Sequence, residues 1–170
     1  MFCMAIWLSG SIFTAVIATE NFYTIDRLIA KSPNDVFRVV VETMENPPAR
    51  DLLRYLSSEL NRLYFQYWNL AQLPVGIIAL RLVSSLPKSR MATIGIVAML
   101  CVVLFLMVAV TPGILSVGRQ IDFVPRNPPP PELRTFGLLH ATYSALTVVN
   151  VVLGILVTLW IQKEHPSQEA

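Results

Sequence analysis

Between Met91 and Ile114 the chain carries no acidic or basic side chain, and from Phe136 to Ile161 it carries none except a histidine. A helix needs roughly 20 predominantly apolar residues to cross about 30 Å of hydrocarbon, and uncharged runs of this length have few other uses. Two more stretches, Met1 to Thr19 and Leu63 to Leu80, have similar length and character. Together the four runs occupy about half of the 170 residues, which leaves one sizeable connecting segment and no room for a separate soluble domain. Composition agrees: 14% of the residues are charged, where a soluble domain carries about a quarter. The expected fold is all-α, a polytopic integral membrane four-helix bundle. It forms one membrane domain over 1–170, with spans near 1–19, 63–80, 91–114 and 136–161.

The connecting segments supply the rest of the expected architecture. No Lys or Arg precedes the first span and no small-x-small cleavage site follows it, so it reads as a retained helix and not a secretion signal. It should run on through "ENFYTIDRLIAK" to "KSPND", where Ser32 can cap a new helix with Pro33 at its first position. From there to Arg62 the chain is amphipathic. Val36, Phe37, Val40, Val41 and Met44 share one side at helical spacing, and Leu52, Leu53, Leu56, Leu60 and Leu63 form a second stripe. One or two helices over 34–62, lying on the membrane interface between the first and second spans, fit this pattern. Tyr64, Phe65, Tyr67 and Trp68 cluster where the second span begins, as amphipathic rings do at headgroup depth. Pro74 lies inside that span and should kink it, freeing a carbonyl near Leu70, while Gly76 allows a close neighbour. The third span is expected to end at "TPGI". The loop over 125–131, within "VPRNPPPPE", should run as a stiff polyproline spacer, since it can be neither helix nor strand.

The orientation signals conflict. The acid-free turn from Arg81 to Arg90 favours a cytoplasmic placement for itself, whereas the count of Lys and Arg near span ends favours the opposite face. The count is the rule's own measure and is preferred. The expected location is multi-pass in a bacterial inner membrane. No basic stripe with interleaved aromatics suggests nucleic acid. Cys3 and Cys101 lie in apolar spans, where a thiol behaves as a small hydrophobe.

In a hairpin bundle, one leaflet collects Glu20, Gln66, Asn69, His140 and Tyr143, which form the candidate polar cluster or ligand site. Gln66, Asn69 and Leu73 should share a face, with Gln72 at its edge. On the last span, Ser144, Thr147, Val151, Gly154 and Thr158 follow His140 as a stripe of small or polar groups, flanked by Asn150, of the kind that packs membrane helices. His140 admits two readings. It can hydrogen-bond to Glu20, Asn69 or a backbone carbonyl. Alternatively it can serve as a single axial ligand to haem or to a chlorophyll-type pigment, because ionisable groups inside membranes mark function by default. A bis-histidine haem is excluded, since His165 lies about 37 Å further along the same helix at 1.5 Å per residue. Ser9 and Ser11 could pair with His140 in an intramembrane protease, but their depths differ and no oxyanion feature accompanies them. No metal-ligand spacing and no catalytic motif is present, so neither a metal site nor a catalytic set is expected.

"TPGILSVGRQI" followed by "LRTFGLLHATYSALTVVNVVLGIL" resembles the C-terminal half of a family of small four-helix membrane proteins of undetermined function. That family is similar to the transmembrane-protein-205-like proteins. Pro112, Arg134, Phe136, Leu139 and His140 carry the likeness, and "WLSGSIF" and "LYFQYW" match loosely. The resemblance implies a four-span fold and no catalytic set. The polyproline insert and the segment from Asp35 to Asn46 depart from it.

The expected function is therefore non-catalytic: an accessory or structural subunit that packs against other membrane subunits within the bilayer. A cofactor-binding subunit using His140 is the alternative, and a small oligomeric channel or permease is a third.

Overall fold

A computed structural model describes residues 1–44 and 46–164, and among these there are helices and no strands. His165 lies outside the described residues. The helices are α1 (Phe2–Ala30), α2 (Asp35–Thr43), α3 (Asn46–Ser84), α4 (Arg90–Phe105), α5 (Thr111–Gln120) and α6 (Glu132–Glu164), with a π-helical segment, Leu106–Val110, joining α4 to α5.

Among the described residues, three helices are long and apolar enough to cross a membrane: Phe2–Ala30, the continuous Arg90–Gln120, and Glu132–Glu164. In their most apolar stretches only 22%, 33% and 22% of the residues are buried, so most of their apolar side chains face outward. In a soluble protein so much exposed apolar surface would be a liability; a hydrocarbon surround makes it ordinary. The stretch expected as the second span, 63–80, lies inside α3 and is interrupted by Gln66, Asn69 and Gln72. At 1.5 Å per residue the 39 residues of α3 extend about 58 Å, nearly twice the hydrocarbon thickness.

Several boundaries differ from expectation for identifiable reasons. Helix α2 is capped by Asn34, whose side chain accepts a 2.9 Å hydrogen bond from the Phe37 N–H, and not by Ser32. The Ser32 hydroxyl instead accepts from the Asn34 N–H. The helix of the third span does not stop at "TPGI" but continues to Gln120. A proline ring presses on the carbonyl four residues back, here that of Val108. The backbone widens just before Pro112, the Thr111 N–H reaching Leu106 O five residues back, and the helix passes the proline instead of stopping. Helix α3 likewise runs unbroken through Pro74.

The tightest packing lies toward the α1 N-terminus. Met4, Trp7, Ala79, Val83, Ala92, Ile96, Met99, Val103, Val157 and Ile161 form one buried cluster drawn from α1, α3, α4 and α6. Small residues allow the approach. A Cβ on Gly95 would sit 2.4 Å from Val157 Cγ2, and one on Gly10 would sit 2.0 Å from the Trp68 ring. The opposite end has a smaller cluster, Leu106, Val110 and Tyr143.

Candidate functional site

One face of α3 carries the polar groups that point into the bundle. Ser57, Asn61, Asn69 and Gln72 are buried, while Leu52, Leu56 and Leu63 are exposed. Three of the five leucines of the amphipathic segment thus face outward, Leu53 and Leu60 are half-buried, and the amides Asn61, Asn69 and Gln72 face inward, the reverse of a helix on a soluble core. Buried polar side chains need partners, and these find them on the other helices. Asn61 donates to Ala18 O at 2.9 Å and accepts from Asn21 Nδ2 at 2.7 Å. Trp7 Nε1 donates to Gln72 Oε1 at 2.8 Å. Trp68 Nε1 donates to Ser11 Oγ at 3.2 Å.

The third set joins three helices. Asn69 Nδ2 donates to Thr111 Oγ1 at 2.9 Å, and Tyr143 OH donates to Asn69 Oδ1 at 2.8 Å. One fully buried amide therefore ties α3 to α5 and α6. Next to it the Phe65 ring meets Tyr143 edge-on, with centroids 5.1 Å apart.

Of the expected cluster, then, Asn69 and Tyr143 come together. Gln66 is exposed. Glu20 is exposed and pairs with Arg27 at 2.7 Å. His140 is also exposed and has no hydrogen-bond partner among the described residues; its ring stacks on Phe136 at 6.0 Å with 13° between planes. The buried face of α6 runs through Tyr143, Asn150, Gly154, Val157 and Ile161. Of the expected stripe only Gly154 is buried; Thr147, Val151 and Thr158 are half-buried and Ser144 is exposed. The Thr147 and Thr158 hydroxyls return to carbonyls of their own helix, Tyr143 O and Gly154 O.

The sequence places Thr111 in the same leaflet as Asn69 and Tyr143 but does not single out Asn61 or Arg62. Arg62 is buried to 8% side-chain exposure and bonds to Glu59 and to both oxygens of Asp122, at 3.1 and 2.9 Å. It lies over Gly118, where a Cβ would come within 3.2 Å of both its guanidinium and the Phe136 ring. A charge in a stripe otherwise made of amides was the available signal.

Two cavities open beside this ladder. One, of about 220 Å³, lies among α3, α5, the loop after it and the start of α6. The other, of about 460 Å³, is a groove between α1 and α6 with Phe65 and Trp68 of α3 behind it. Phe22, Asn61, Phe65, His140 and Tyr143 line both. Among the described residues no group of three or more His, Cys, Asp or Glu side chains could hold a metal ion.

Leu139 and Phe136 lie on the seam between α5 and α6. A Cβ on Gly113, next to Pro112, would meet Leu139 at 3.2 Å, and Gly118 faces Phe136 one to two turns further on. The two matching segments are thus the two sides of the α5–α6 contact. No family model matches the chain, and neither a curated protein nor a solved structure matches it.

Proposed function

We propose that the chain is a non-catalytic, four-crossing membrane protein that serves as an accessory subunit, packing its outer faces against other membrane subunits. In this reading α3 makes the fourth crossing over 63–80, after an amphipathic first half that lies at the interface. The carrying observation is that the interior amides of α3 are spent on joining helices, while Asn150 on α6 is buried with its Oδ1 unpartnered among the described residues. The Trp7–Gln72 bond and the Asn69–Thr111–Tyr143 set give each amide a partner on another helix. Such bonds fix which helices neighbour one another, and they take the polar part of α3 out of contact with lipid, where it would be costly. The resemblance carried by Pro112, Arg134, Phe136, Leu139 and His140 belongs to the same reading, and two of these, Phe136 and Leu139, close α6 on α5.

Mass measurement after extraction in mild detergent tests it. The expected result is a particle that contains other membrane proteins in fixed ratio. A stable lone monomer with a turnover of its own overturns it.

A further inference from the structure

We propose that the two cavities together bind one anionic lipid taken from the bilayer, its phosphate or carboxylate head between Arg54 and Arg126 and one acyl chain in the groove between α1 and α6. The inference rests on the membrane setting and is independent of any protein partner.

The head position follows from charge. Three arginines and two aspartates, Arg54, Arg62, Arg126, Asp51 and Asp122, line the smaller cavity. Arg62 and Asp122 are bound to each other. Arg54 and Arg126 have no carboxylate within ion-pair distance among the described residues, and the one bond of Arg126 is a long 3.5 Å contact to Ile121 O. Two guanidinium groups facing one cavity, with a single unpaired aspartate, favour an anion that can take forked hydrogen bonds. The Tyr55–Phe123 ring pair, 5.1 Å between centroids, gives the same cavity an apolar wall, which a bare inorganic ion would not use.

The tail position follows from shape. Helices α1 and α6 meet where Leu8 covers Gly154 and stand apart further along, where the groove runs from Ser11 to Tyr23 on α1. That is about 18 Å at 1.5 Å per residue, close to the depth of one leaflet, roughly 15 Å. Small side chains on both lips, Ala15 and Ala18 opposite Ser144 and Thr147, make the space. Lipid tails gain nothing from leaving one apolar surround for another, so the groove supplies fit and the arginines supply selection. His140 lines both cavities and sits where head and tail would join.

The test is native mass spectrometry of the full chain in detergent, after incubation with equal amounts of phosphatidylglycerol and phosphatidylcholine bearing identical chains. Retention of phosphatidylglycerol should exceed that of phosphatidylcholine about tenfold, since both carry the phosphate and only phosphatidylcholine brings a fixed cation beside the two arginines. The double variant Arg54→Gln, Arg126→Gln should bring the two to parity, and Ala15→Trp should reduce both. Glycerol phosphate, which has the head but no chain, should fail to displace the lipid. Equal retention of the two lipids by the unaltered chain overturns the proposal without reference to any variant's folding. So does a preference that survives loss of both arginines, or full displacement by glycerol phosphate.

Discussion

The two ends of this bundle solve the same packing problem differently. Near Trp7 the helices are sealed mainly by shape, with one hydrogen bond from Trp7 to Gln72: Trp7, Ile96, Met99 and Val157 are almost wholly buried, and glycines admit the rings that fill the gaps. Near Asn69 and Arg62 they are joined by hydrogen bonds and an ion pair, and two cavities remain beside the joints. In hydrocarbon, apolar surface gives little reason for helices to associate, so close contact and polar bonds must do it. Close contact fills space and leaves nothing for a ligand. Polar joints hold helices together at a few points and tolerate gaps between them. The half that can bind something is therefore the half held by hydrogen bonds.

The comparison breaks most sharply at Trp7. Trp7→Ala removes the largest fully buried side chain and strands the carbonyl of Gln72; large-to-small changes of this kind cost about 3–5 kcal/mol. Thermal unfolding in detergent should show this as the largest loss among the substitutions considered, with the lipid-retention ratio unchanged in whatever fraction stays folded. Arg62→Ala comes next. It leaves Asp122 at a largely buried position without its cation and Glu59 with only the longer 3.8 Å contact to Arg119. Breaking a buried pair costs about 3 kcal/mol, less here because Glu59 is about a third exposed and keeps Arg119. A variant as stable as the parent would show that this end is held by packing after all.

The helices and their breaks were legible because they depend on local chemistry: "KSPND", the acid-free turn near Lys88 and the polyproline loop each interrupt the chain where expected. Helix faces were less legible. A helix in lipid has apolar residues all round, so the usual inside-outside contrast is lost and only scattered polar groups mark the interior. Asn69 and Tyr143 were found by that rule, whereas Gln66 and Glu20, also polar, face outward where the helices leave the bundle's apolar depth. The leucines Leu52, Leu56 and Leu63 face away from the protein, the side that an amphipathic helix on a membrane interface turns to lipid. The passage of the third span through Pro112 was invisible, because a proline in sequence reads as a stop unless the turn before it is known to widen.

Asn69→Leu tests the polar joint with a smaller effect. It removes the amide that Thr111 and Tyr143 share, and interhelical bonds in membranes are worth about 0.6–2 kcal/mol. A loss near 2 kcal/mol in unfolding free energy is expected, because two hydroxyls lose their partner together. A loss as large as that of Trp7→Ala would place the two ends on equal footing and remove the contrast.

His140→Ala is the smallest and the most discriminating. The ring is exposed and stacks on Phe136 without a hydrogen-bond partner among the described residues, so unfolding should be unchanged within error. A histidine that ligates a metal centre usually donates its second nitrogen to a neighbouring acceptor, which fixes the ring, and no such acceptor engages His140. The expected visible spectrum of the purified chain is therefore the same, and colourless, with and without the imidazole. A Soret or pigment band that disappears in the variant would move the function of the open half from lipid to cofactor. The comparison itself would survive, since the cavities beside the polar joints would still be where the ligand sits.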